Sequence, residues 1–564
     1  MSFREKLLNK SNSYVYYKNE HDSLKKSQKN LKAKISSLNG EIGSLNQQLN
    51  LLQLEVNKKN LEIDILNEKY HVHKNQDKPE IIMLFFGYFL QIGGVAKVAF
   101  DRADVFYKDG YPVKILNIDP LQNFSVIEDH YHKCGYLNEN LNIINVFDYY
   151  CDKNTLTVED SKVDFDDLIS NCDNRVEKKE NMDNSVTLLY YDDSGNDIIK
   201  EELYISQSLV CSMELKDEEI LLEKYYTYDN FNYLVVDNRE NKVILRNRFG
   251  DDEIYFSEIA ELWEYFVTEF CLKSEGKPIL ISDSSSFKPS IRNIDPRIAY
   301  KVANAHSNPY KTKPYGYGCV MRDITAISEY EYHDASVVLT EAANEDFKKE
   351  FNSDNFKVIP NFIREDEQCF ENTFVDNKVI SIFCRISPEK NLSDLIRAFS
   401  MVLKKHDDAV LQIFGRVFKP IEFKEKKKLD DLISELKIGD SVRFMGHIDN
   451  PAEYMNKSLI TVLCSNFEGF GRVILESMYN YTPMVCYDTN YGPTDIIEHE
   501  VDGFIVKQYD VDSLAYYICY ALDNPKSIYE MGFVAHEKVV NNFSETIVLQ
   551  KWKDLFEEIC DDVE

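Results

Sequence analysis

The chain lacks the surplus of positive charge that nucleic-acid-binding proteins use. Its 564 residues include 96 Asp and Glu against 65 Lys and Arg, which gives a net charge of −31. A protein that binds nucleic acid needs a basic face that displaces counterions. The charge balance therefore argues against a nucleic-acid partner, although it leaves room for a local basic groove that holds an anionic substrate.

Long apolar runs and paired cysteines are also missing. The longest near-apolar run, residues 81–92, is too short to span a bilayer, and the polar first residues indicate no signal peptide. The 12 cysteines form no Cys-x-x-Cys pair, which is typical of reduced thiols rather than of disulfides or a zinc site. We expect a cytoplasmic protein, and a peripheral position at the inner face of the cell membrane is left open.

A heptad pattern fills the first part of the chain. Alternating steps of four and three residues separate the apolar side chains Leu31, Ile35, Leu38, Ile42, Leu45, Leu49, Leu52 and Val56. A seam with this repeat is buried by pairing with another helix. Residues 1–75 are therefore predicted to form a coiled coil that makes the chain a homo-oligomer. The alternative is one amphipathic helix packed on the body of the protein.

Strand and helix signals alternate after a polar linker. A strand over 80–86, a helix over 95–108 and a strand over 113–118 begin a βαβ pattern, which builds parallel sheets. Segments rich in Val, Ile, Leu and Tyr, such as 186–191 and 198–205, then interrupt this pattern. The turn residues between them indicate an antiparallel insertion, which offers a second surface for self-association.

A second α/β pattern occupies the C-terminal half. Two Rossmann-like halves that face a cleft would place ligands at the carboxyl ends of the strands, between the halves. The predicted division is a coiled coil at 1–75, an N-terminal Rossmann-like domain in two parts at 76–150 and 261–372, an antiparallel β insertion at 151–260, a C-terminal Rossmann-like nucleotide-sugar domain at 373–545 and a C-terminal helix at 546–564.

Two carboxylates flank a glycine-rich loop after a predicted strand at 460–464. The stretch Glu468-Gly469-Phe470-Gly471 leads into a helix that contains Glu476. Its glycines let the backbone approach a ligand, and the helix N-terminus can hold a phosphate or a sugar hydroxyl. Glu468 and Glu476 lie on a similar face and can hold two hydroxylated parts of one ligand. The alternative is an ordinary strand–loop–helix junction.

Two cations follow the predicted strand at 379–383. Arg385 and Lys390 stand in the loop between this strand and the next helix. Two fixed positive charges at the carboxyl end of a strand suit a diphosphate. The alternative is a pair of solvated surface cations.

These motifs resemble those of the family-4 retaining glycosyltransferases of GT-B fold. Glu468 and Glu476 match the E-x7-E motif of that family, and Arg385 and Lys390 match its Arg-x4-Lys phosphate clamp. The resemblance implies a UDP-sugar donor whose departing diphosphate is stabilised by the two cations. It also implies that Glu468 orients the transferred sugar and that Glu476 holds the ribose.

The resemblance assigns roles to further residues. His306 resembles the histidine that lies near the reacting carbon, and a hydrogen-bonded structural role is the alternative for it. The implied catalytic residues are His306, Arg385, Lys390 and Glu468. The implied donor-binding residues are Gly93, Gly94, Arg385, Lys390, Gly446, His447, Gly469, Phe470, Gly471 and Glu476.

No metal or other cofactor is expected, because Arg385 and Lys390 already supply the positive charge that a divalent ion would supply. Asp510 belongs to a short Asp-x-Asp pattern, and we interpret it as the cap of a helix that begins near Ser513. The lysine-rich run at 424–428 is interpreted as a solvated helix face, with contact to a polyphosphate acceptor as the alternative.

A β insertion in the N-terminal domain is typical of a subgroup that the chain resembles. This subgroup includes the wall teichoic acid α-glycosyltransferases of the TarM/TagE type and enzymes that place N-acetylglucosamine on serine-rich surface proteins. The sequence segments 491–498 and 543–552 favour the TarM/TagE type. The predicted coiled coil, however, is not expected in the usual architecture of that type. The expected function is α-linked transfer of a hexose or N-acetylhexosamine to an anionic poly(polyol phosphate) wall polymer. The alternatives are transfer to serines of a surface protein and a non-catalytic coiled-coil scaffold.

Overall fold

The computed structural model describes residue 34 and most of residues 78–561. The segments outside the description within that range are 86–93, 120–122, 156–162, 171, 173, 193, 196, 250–252, 284–290, 307–331, 365–367, 371–373, 375–376, 418–419 and 449. Apart from residue 34, the predicted coiled coil at 1–75 lies outside the described residues, and so it stays a prediction.

The described chain opens with the expected βαβ pattern. Its strands are β1 (Ile81–Phe85), β2 (Val113–Asn117) and β3 (Ile143–Asn145), and its helices are α1 (Gly94–Lys108), α2 (Phe124–Lys133) and α3 (Val146–Asn154). The strands pair in parallel. Every residue of β1 is buried, because both faces of a parallel sheet are covered, and this burial explains the continuous apolar run in the sequence.

An antiparallel sheet of eight strands follows. After α4 (Phe165–Ser170) come β4 (Val176–Glu180), β5 (Val186–Tyr191), β6 (Ile198–Ile205), β7 (Ser208–Lys216), β8 (Glu219–Tyr226), β9 (Asn232–Asp237), β10 (Lys242–Arg246) and β11 (Glu253–Phe256). Each strand pairs with the next along the chain. The rings of Phe147 and Tyr225 pack with their centroids 4.7 Å apart, which anchors the insertion to α3.

The chain then returns to the first sheet. It adds α5 (Ile259–Lys273), β12 (Ile279–Ser282), β13 (Tyr300–Ala305), β14 (Ala335–Val338), α6 (Glu341–Phe351) and β15 (Phe356–Val358). The completed sheet has seven parallel strands in the order β15-β14-β13-β12-β1-β2-β3. The antiparallel sheet is therefore an insertion between β3 and β12, as the sequence predicts.

A second parallel sheet forms the C-terminal half. Its strands, in the order β18-β17-β16-β19-β20-β21, are β16 (Val379–Phe383), β17 (Val410–Phe414), β18 (Val442–Gly446), β19 (Ile460–Leu463), β20 (Met484–Tyr487) and β21 (Phe504–Val506). The helices between them are α7 (Leu392–Val402), α8 (Pro420–Leu436), α9 (Ala452–Asn456), α10 (Arg472–Tyr479), α11 (Pro493–Ile496) and α12 (Val511–Asp523). The two parallel sheets give the GT-B architecture that the resemblance implies.

The last two helices connect the halves. Helix α13 (Pro525–Phe543) packs on the second half, and α14 (Glu545–Asp561) crosses back to the first. Trp552 and Phe556 pack their rings against Phe106 of α1 at 5.7 and 5.4 Å. The backbone of Ile363, in the segment that joins the halves, bonds to Phe543 and Glu545 at the same crossing. Among the described residues, no helix combines the length and apolar character that crossing a membrane requires.

Candidate active site

A cavity of about 850 Å³ lies at the carboxyl ends of the strands of the second sheet. Its lining includes six of the predicted site residues, namely Arg385, Lys390, His447, Glu468, Gly471 and Glu476. The opposite wall comes from the N-terminal half and includes Lys97, His130 and Tyr136. The cavity therefore joins the two halves, and Met182 of the hairpin between β4 and β5 extends its wall into the insertion.

Lys390 and Glu468 form the central ion pair of the cavity. The Lys390 Nζ donates to Glu468 Oε1 at 2.7 Å, and the two side chains are 17 % and 13 % exposed. Burial lowers the pKa of Lys390, but the charge of Glu468 and its hydrogen bond outweigh this effect, so the pKa is raised above its ordinary value. The ammonium is consequently held charged and in place. Burial raises the pKa of the adjacent Cys384 to about 12, so this side chain stays a thiol.

Arg385 lines the same cavity with a more exposed side chain. Its Nη2 donates to Glu389 Oε1 at 2.8 Å, and Nη1 lies 3.8 Å from Glu422 Oε1. Half of the side chain is exposed. Glu422 is almost fully buried, so it is a fixed anchor for one side of the guanidinium. Arg385 and Lys390 thus bring two positive charges to one cavity, which is the arrangement that a diphosphate requires.

The glycine-rich loop is held by backbone hydrogen bonds. The amide of Glu468 donates to Asn490 O at 3.1 Å, and the amide of Tyr491 returns a bond to Glu468 O at 2.8 Å. Gly471 has φ +82° and immediately precedes α10, so a residue without a Cβ suits this left-handed turn. The side chain of Phe470 is buried in the apolar core against Phe543, which leaves only its backbone for contact with a ligand.

Gly492 allows the loop after β20 to approach the glycine-rich loop closely. Its φ is +110°, and a Cβ built there would stand 1.7 Å from the carbonyl oxygen of Phe470. Only glycine avoids this clash, because any side chain would push the loop after β20 away from the glycine-rich loop. The position of Glu468 therefore depends on a residue 24 positions further along the chain.

His306 lies at the carboxyl end of β13 rather than in the cavity wall. Its Nε2 is 2.6 Å from Asp283 Oδ1, and the other carboxylate oxygen of Asp283 pairs with Arg102. Burial raises the pKa of Asp283, but Arg102 and His306 lower it by more, to about 2. Asp283 is thus an anion that holds the His306 ring, whose side chain is 7 % exposed.

The remaining predicted positions fall in different places. Gly93 lies outside the described residues, and Gly94 begins α1. Gly446 ends β18 with φ +79°, directly before the exposed His447 of the cavity wall. Gly469 stands in the glycine-rich loop, but it is not among the residues that line the cavity.

Two arginines of the cavity wall were not singled out from the sequence. Arg416 follows β17 at the carboxyl edge of the sheet, where a strand-end position is the signal that could have found it. Arg472 is the first residue of α10, and its Nη2 lies 3.0 Å from Asp101 Oδ2 of α1. No local pattern predicts that contact, because it joins residues from the two halves.

Two charged patterns of the sequence lie at helices. Asp510 accepts from the amide of Ser513 at 2.9 Å and caps α12, as predicted. The lysine-rich run lies in α8, where Lys426 pairs with Asp430 at 2.6 Å and Lys428 with Glu425 at 3.3 Å. In the part of the chain that the structure describes, no three His, Cys, Asp or Glu side chains are grouped so that they could hold a metal ion.

Comparison with known proteins agrees with this architecture. Residues 364–535 match the family model described as glycosyl transferases group 1. A poly(ribitol-phosphate) alpha-N-acetylglucosaminyltransferase of Staphylococcus aureus is 23% identical over 519 residues, which cover 82% of this chain and 97% of that protein. A poly(glycerol-phosphate) alpha-glucosyltransferase of Bacillus subtilis is 26% identical over 399 residues, which cover 65% of this chain and 57% of that protein.

Among solved structures, a mutant of S. aureus TarM in complex with fondaparinux, alpha-GlcNAc-glycerol and UDP matches with a TM-score of 0.72 and 20% identity. The match covers 85% of this chain and 99% of that one. The fold and the matched segment define the class that the chain resembles: it has a GT-B fold, and residues 364–535 match the glycosyl transferases group 1 domain. Within that class its similarity is to the TarM-type wall teichoic acid glycosyltransferases, as its motifs predicted.

Proposed function

We propose that this chain is a retaining hexosyltransferase that uses a UDP-sugar. It transfers a hexose or N-acetylhexosamine in α linkage to a teichoic-acid-like poly(polyol phosphate) polymer. The observation that carries the proposal is the single cavity lined by Arg385, Lys390, Glu468 and Glu476. The similarity of this chain, over 82% of its length, to a poly(ribitol-phosphate) transferase supports the choice of acceptor.

The proposed reaction breaks the bond between the anomeric carbon and the diphosphate, and forms a bond from that carbon to the oxygen of an acceptor hydroxyl, whose proton passes to the departing diphosphate on the same face of the sugar. Negative charge grows on the departing diphosphate, and the fixed charges of Lys390 and Arg385 stabilise it. Glu468, which holds Lys390, also orients hydroxyls of the transferred sugar. Glu476 holds the ribose, and His306, which Asp283 holds at the carboxyl end of β13 outside the cavity wall, is proposed to lie near the reacting carbon when the donor is bound. Because the two cations neutralise the leaving group, we propose that no metal is needed.

A donor and acceptor screen tests this function. The purified full chain is incubated with UDP-glucose or UDP-N-acetylglucosamine, and with poly(ribitol phosphate), poly(glycerol phosphate) or a serine-rich peptide. We expect UDP release and a polymer that carries an α-linked sugar, in the presence or absence of EDTA, with Glu468→Gln as the blank. Sugar on the peptide alone would support the serine alternative, and no UDP release from any donor would support the scaffold alternative.

The same proposal extends to assembly and location. The heptad pattern at 1–75 supports a homo-oligomer formed through a coiled coil, with the antiparallel sheet as a second contact surface. A cytoplasmic enzyme at the inner face of the membrane would meet both a cytosolic UDP-sugar and a wall polymer under construction. Vesicle flotation with the purified chain measures the membrane contact directly.

A further inference from the structure

Two ion pairs connect Glu476, the carboxylate proposed to hold the ribose, to the N-terminal half of the molecule. Arg472 Nε lies 3.4 Å from Glu476 Oε1, and its Nη2 lies 3.0 Å from Asp101 Oδ2. Arg472 and Glu476 belong to α10 of the second half, whereas Asp101 belongs to α1 of the first. One guanidinium therefore contacts both the carboxylate in the cavity and a carboxylate across the interface.

The side chains that form these ion pairs are largely buried. The side chains of Asp101 and Arg472 are 5 % and 9 % exposed, and that of Glu476 is 22 % exposed. Buried charges interact more strongly than exposed ones, and the loss of one partner leaves the other uncompensated. A planar guanidinium presents its N–H groups as a fixed fork that can face two carboxylates at once, which an ammonium does not. The orientation of Glu476 is therefore sensitive to Asp101.

Asp101 has a second partner in the segment that joins the halves. Arg364 Nη1 lies 3.5 Å from Asp101 Oδ1, while Arg364 Nη2 lies 2.7 Å from Asp104 Oδ2. Asp104 stands almost one turn further along α1 and is equally buried. It contacts Arg364, Lys108 and Asn138, and among its contacts with described residues none is to Arg472. The two aspartates thus lie on one helix, are both buried and carry the same charge, but among the described residues only Asp101 contacts Arg472 of the cavity wall directly.

We propose that Asp101 and Arg472 are positioning residues that determine how tightly the site recognises ribose hydroxyls. Through Arg472, Asp101 aims the Glu476 carboxylate at the two hydroxyls of the nucleotide ribose. Closure of the two halves and recognition of the nucleotide are then one event, because the contact that joins the halves also orients Glu476. This inference rests on the proposed function, which assigns the ribose to Glu476.

The test measures the dissociation constants of UDP and 2′,3′-dideoxy-UDP for the full chain by calorimetry. We expect the wild-type chain to prefer UDP by about ten- to a hundredfold, the usual range for hydrogen bonds to a charged group. Asp101→Asn should reduce this preference to about threefold or less, while its affinity for dideoxy-UDP changes little. Asp101→Glu, which keeps the charge, should retain part of the preference.

Asp104→Asn is the matched control, and melting temperatures report the stability of both variants. Arg472→Lys keeps a positive charge without the forked geometry, so this variant should also lose the preference for UDP over 2′,3′-dideoxy-UDP. If Asp101→Asn does not fold, Arg472→Lys takes its place in the test. A preference that Asp101→Asn and Arg472→Lys both leave unchanged would overturn the inference, as would an equal loss in Asp104→Asn. If the wild-type chain turns over UDP-sugars but binds both nucleotides equally, the inference fails and the proposed function stands. If it neither binds UDP nor consumes UDP-sugars, the proposed function fails as well.

Discussion

At the scale of single residues, Lys390 is the side chain on which the proposed chemistry depends most. Its pairing with Glu468 keeps it charged in a largely buried position. In Lys390→Met the leaving diphosphate loses a preorganised positive charge, and we expect kcat to fall by about 10²–10³. Lys405→Met is the control, because Lys405 is an exposed lysine paired with Asp523 on the surface. A fall in kcat of less than about threefold would contradict the role of Lys390.

The buried cluster around His306 predicts a pH-dependent effect on stability. The pKa of Asp283 is about 2 in the folded chain, below its ordinary value, so its stabilising contribution is complete above pH ~4 and is lost as the pH falls towards 2. Asp283→Asn leaves Arg102 without its buried partner and should lower the free energy of unfolding at pH 7 by about 3 kcal/mol. Urea unfolding between pH 7 and 3 measures the difference in the free energy of unfolding between the wild-type chain and Asp283→Asn. This difference should become smaller towards pH 3.

Asp295→Asn is the control for this measurement. Asp295 pairs with Arg297, whose side chain is 82 % exposed, and such surface pairs contribute at most about 1 kcal/mol. An effect of Asp283→Asn as small as that of Asp295→Asn, at every pH, would show that the cluster does not stabilise the fold.

At the scale of elements, a comparison of two glycines of the second half distinguishes the cost of backbone strain from the cost of a steric clash. Gly446 and Gly492 both have positive φ, but a Cβ at Gly446 meets no atom within 4 Å, whereas a Cβ at Gly492 collides with the carbonyl of Phe470. Gly446→Ala should therefore cost about 1 kcal/mol of stability. Gly492→Ala should cost more and should displace the loop that carries Glu468. Urea unfolding and UDP release measure both effects, and equal losses in the two variants would contradict the argument.

The sheets were the most predictable part of the molecule. Strands buried on both faces, such as β1 and β16, read as continuous apolar runs with clear ends, and their predicted bounds lie within one residue of the observed ones. Strand β4 was not predicted because its sequence, Val-Glu-Lys-Lys-Glu, is largely exposed and carries no apolar alternation. It becomes a strand through pairing with β5, which is a tertiary effect that propensity does not encode.

The candidate site was predictable only where its residues follow strands. Arg385, Lys390 and Glu468 lie between a strand and the next helix, Glu476 lies within α10, and the structure brings all four to one cavity. The partners Asp283 of His306 and Asp101 of Arg472 were not predictable, because 23 and 371 residues separate each pair along the chain. Such contacts depend on how the elements pack rather than on any local pattern.

At the scale of the whole molecule, the loop after β20 and the short helix α11 that follows it dock the second half onto helix α6 of the first. Asp495 Oδ1 accepts from the amides of Glu341 and Ala342 at 3.0 and 3.3 Å, and Tyr491 donates to Asp346 at 2.8 Å. A carboxylate at a helix N-terminus satisfies amides that have no partner within the helix. The C-terminal half therefore supplies part of the N-terminal cap of α6, a helix of the N-terminal half.

Asp495→Ala should loosen this docking. Removal of a capping carboxylate typically costs about 1 kcal/mol, so hydrogen exchange at the amides of Glu341 and Ala342 should accelerate about fivefold. Thr340→Val is the matched control, because Thr340 caps the same helix from within its own half through the amide of Ala343 at 3.1 Å. It should accelerate exchange at Ala343 instead. Unchanged exchange at Glu341 and Ala342 in Asp495→Ala would show that the contact does not hold the halves together.

Assembly of the whole molecule is proposed to depend on the heptad seam. Leu38 and Leu45 occupy equivalent seam positions one heptad apart, whereas Ser37 and Ser44 stand beside them, outside the seam. Two glutamates in the seam would place buried like charges against the partner helix, so Leu38→Glu with Leu45→Glu should lower the solution mass measured by light scattering. Ser37→Glu with Ser44→Glu adds the same charge outside the seam and should keep the wild-type mass. If the seam variant keeps that mass as well, residues 1–75 do not assemble the chain, and the antiparallel sheet becomes the surface to test.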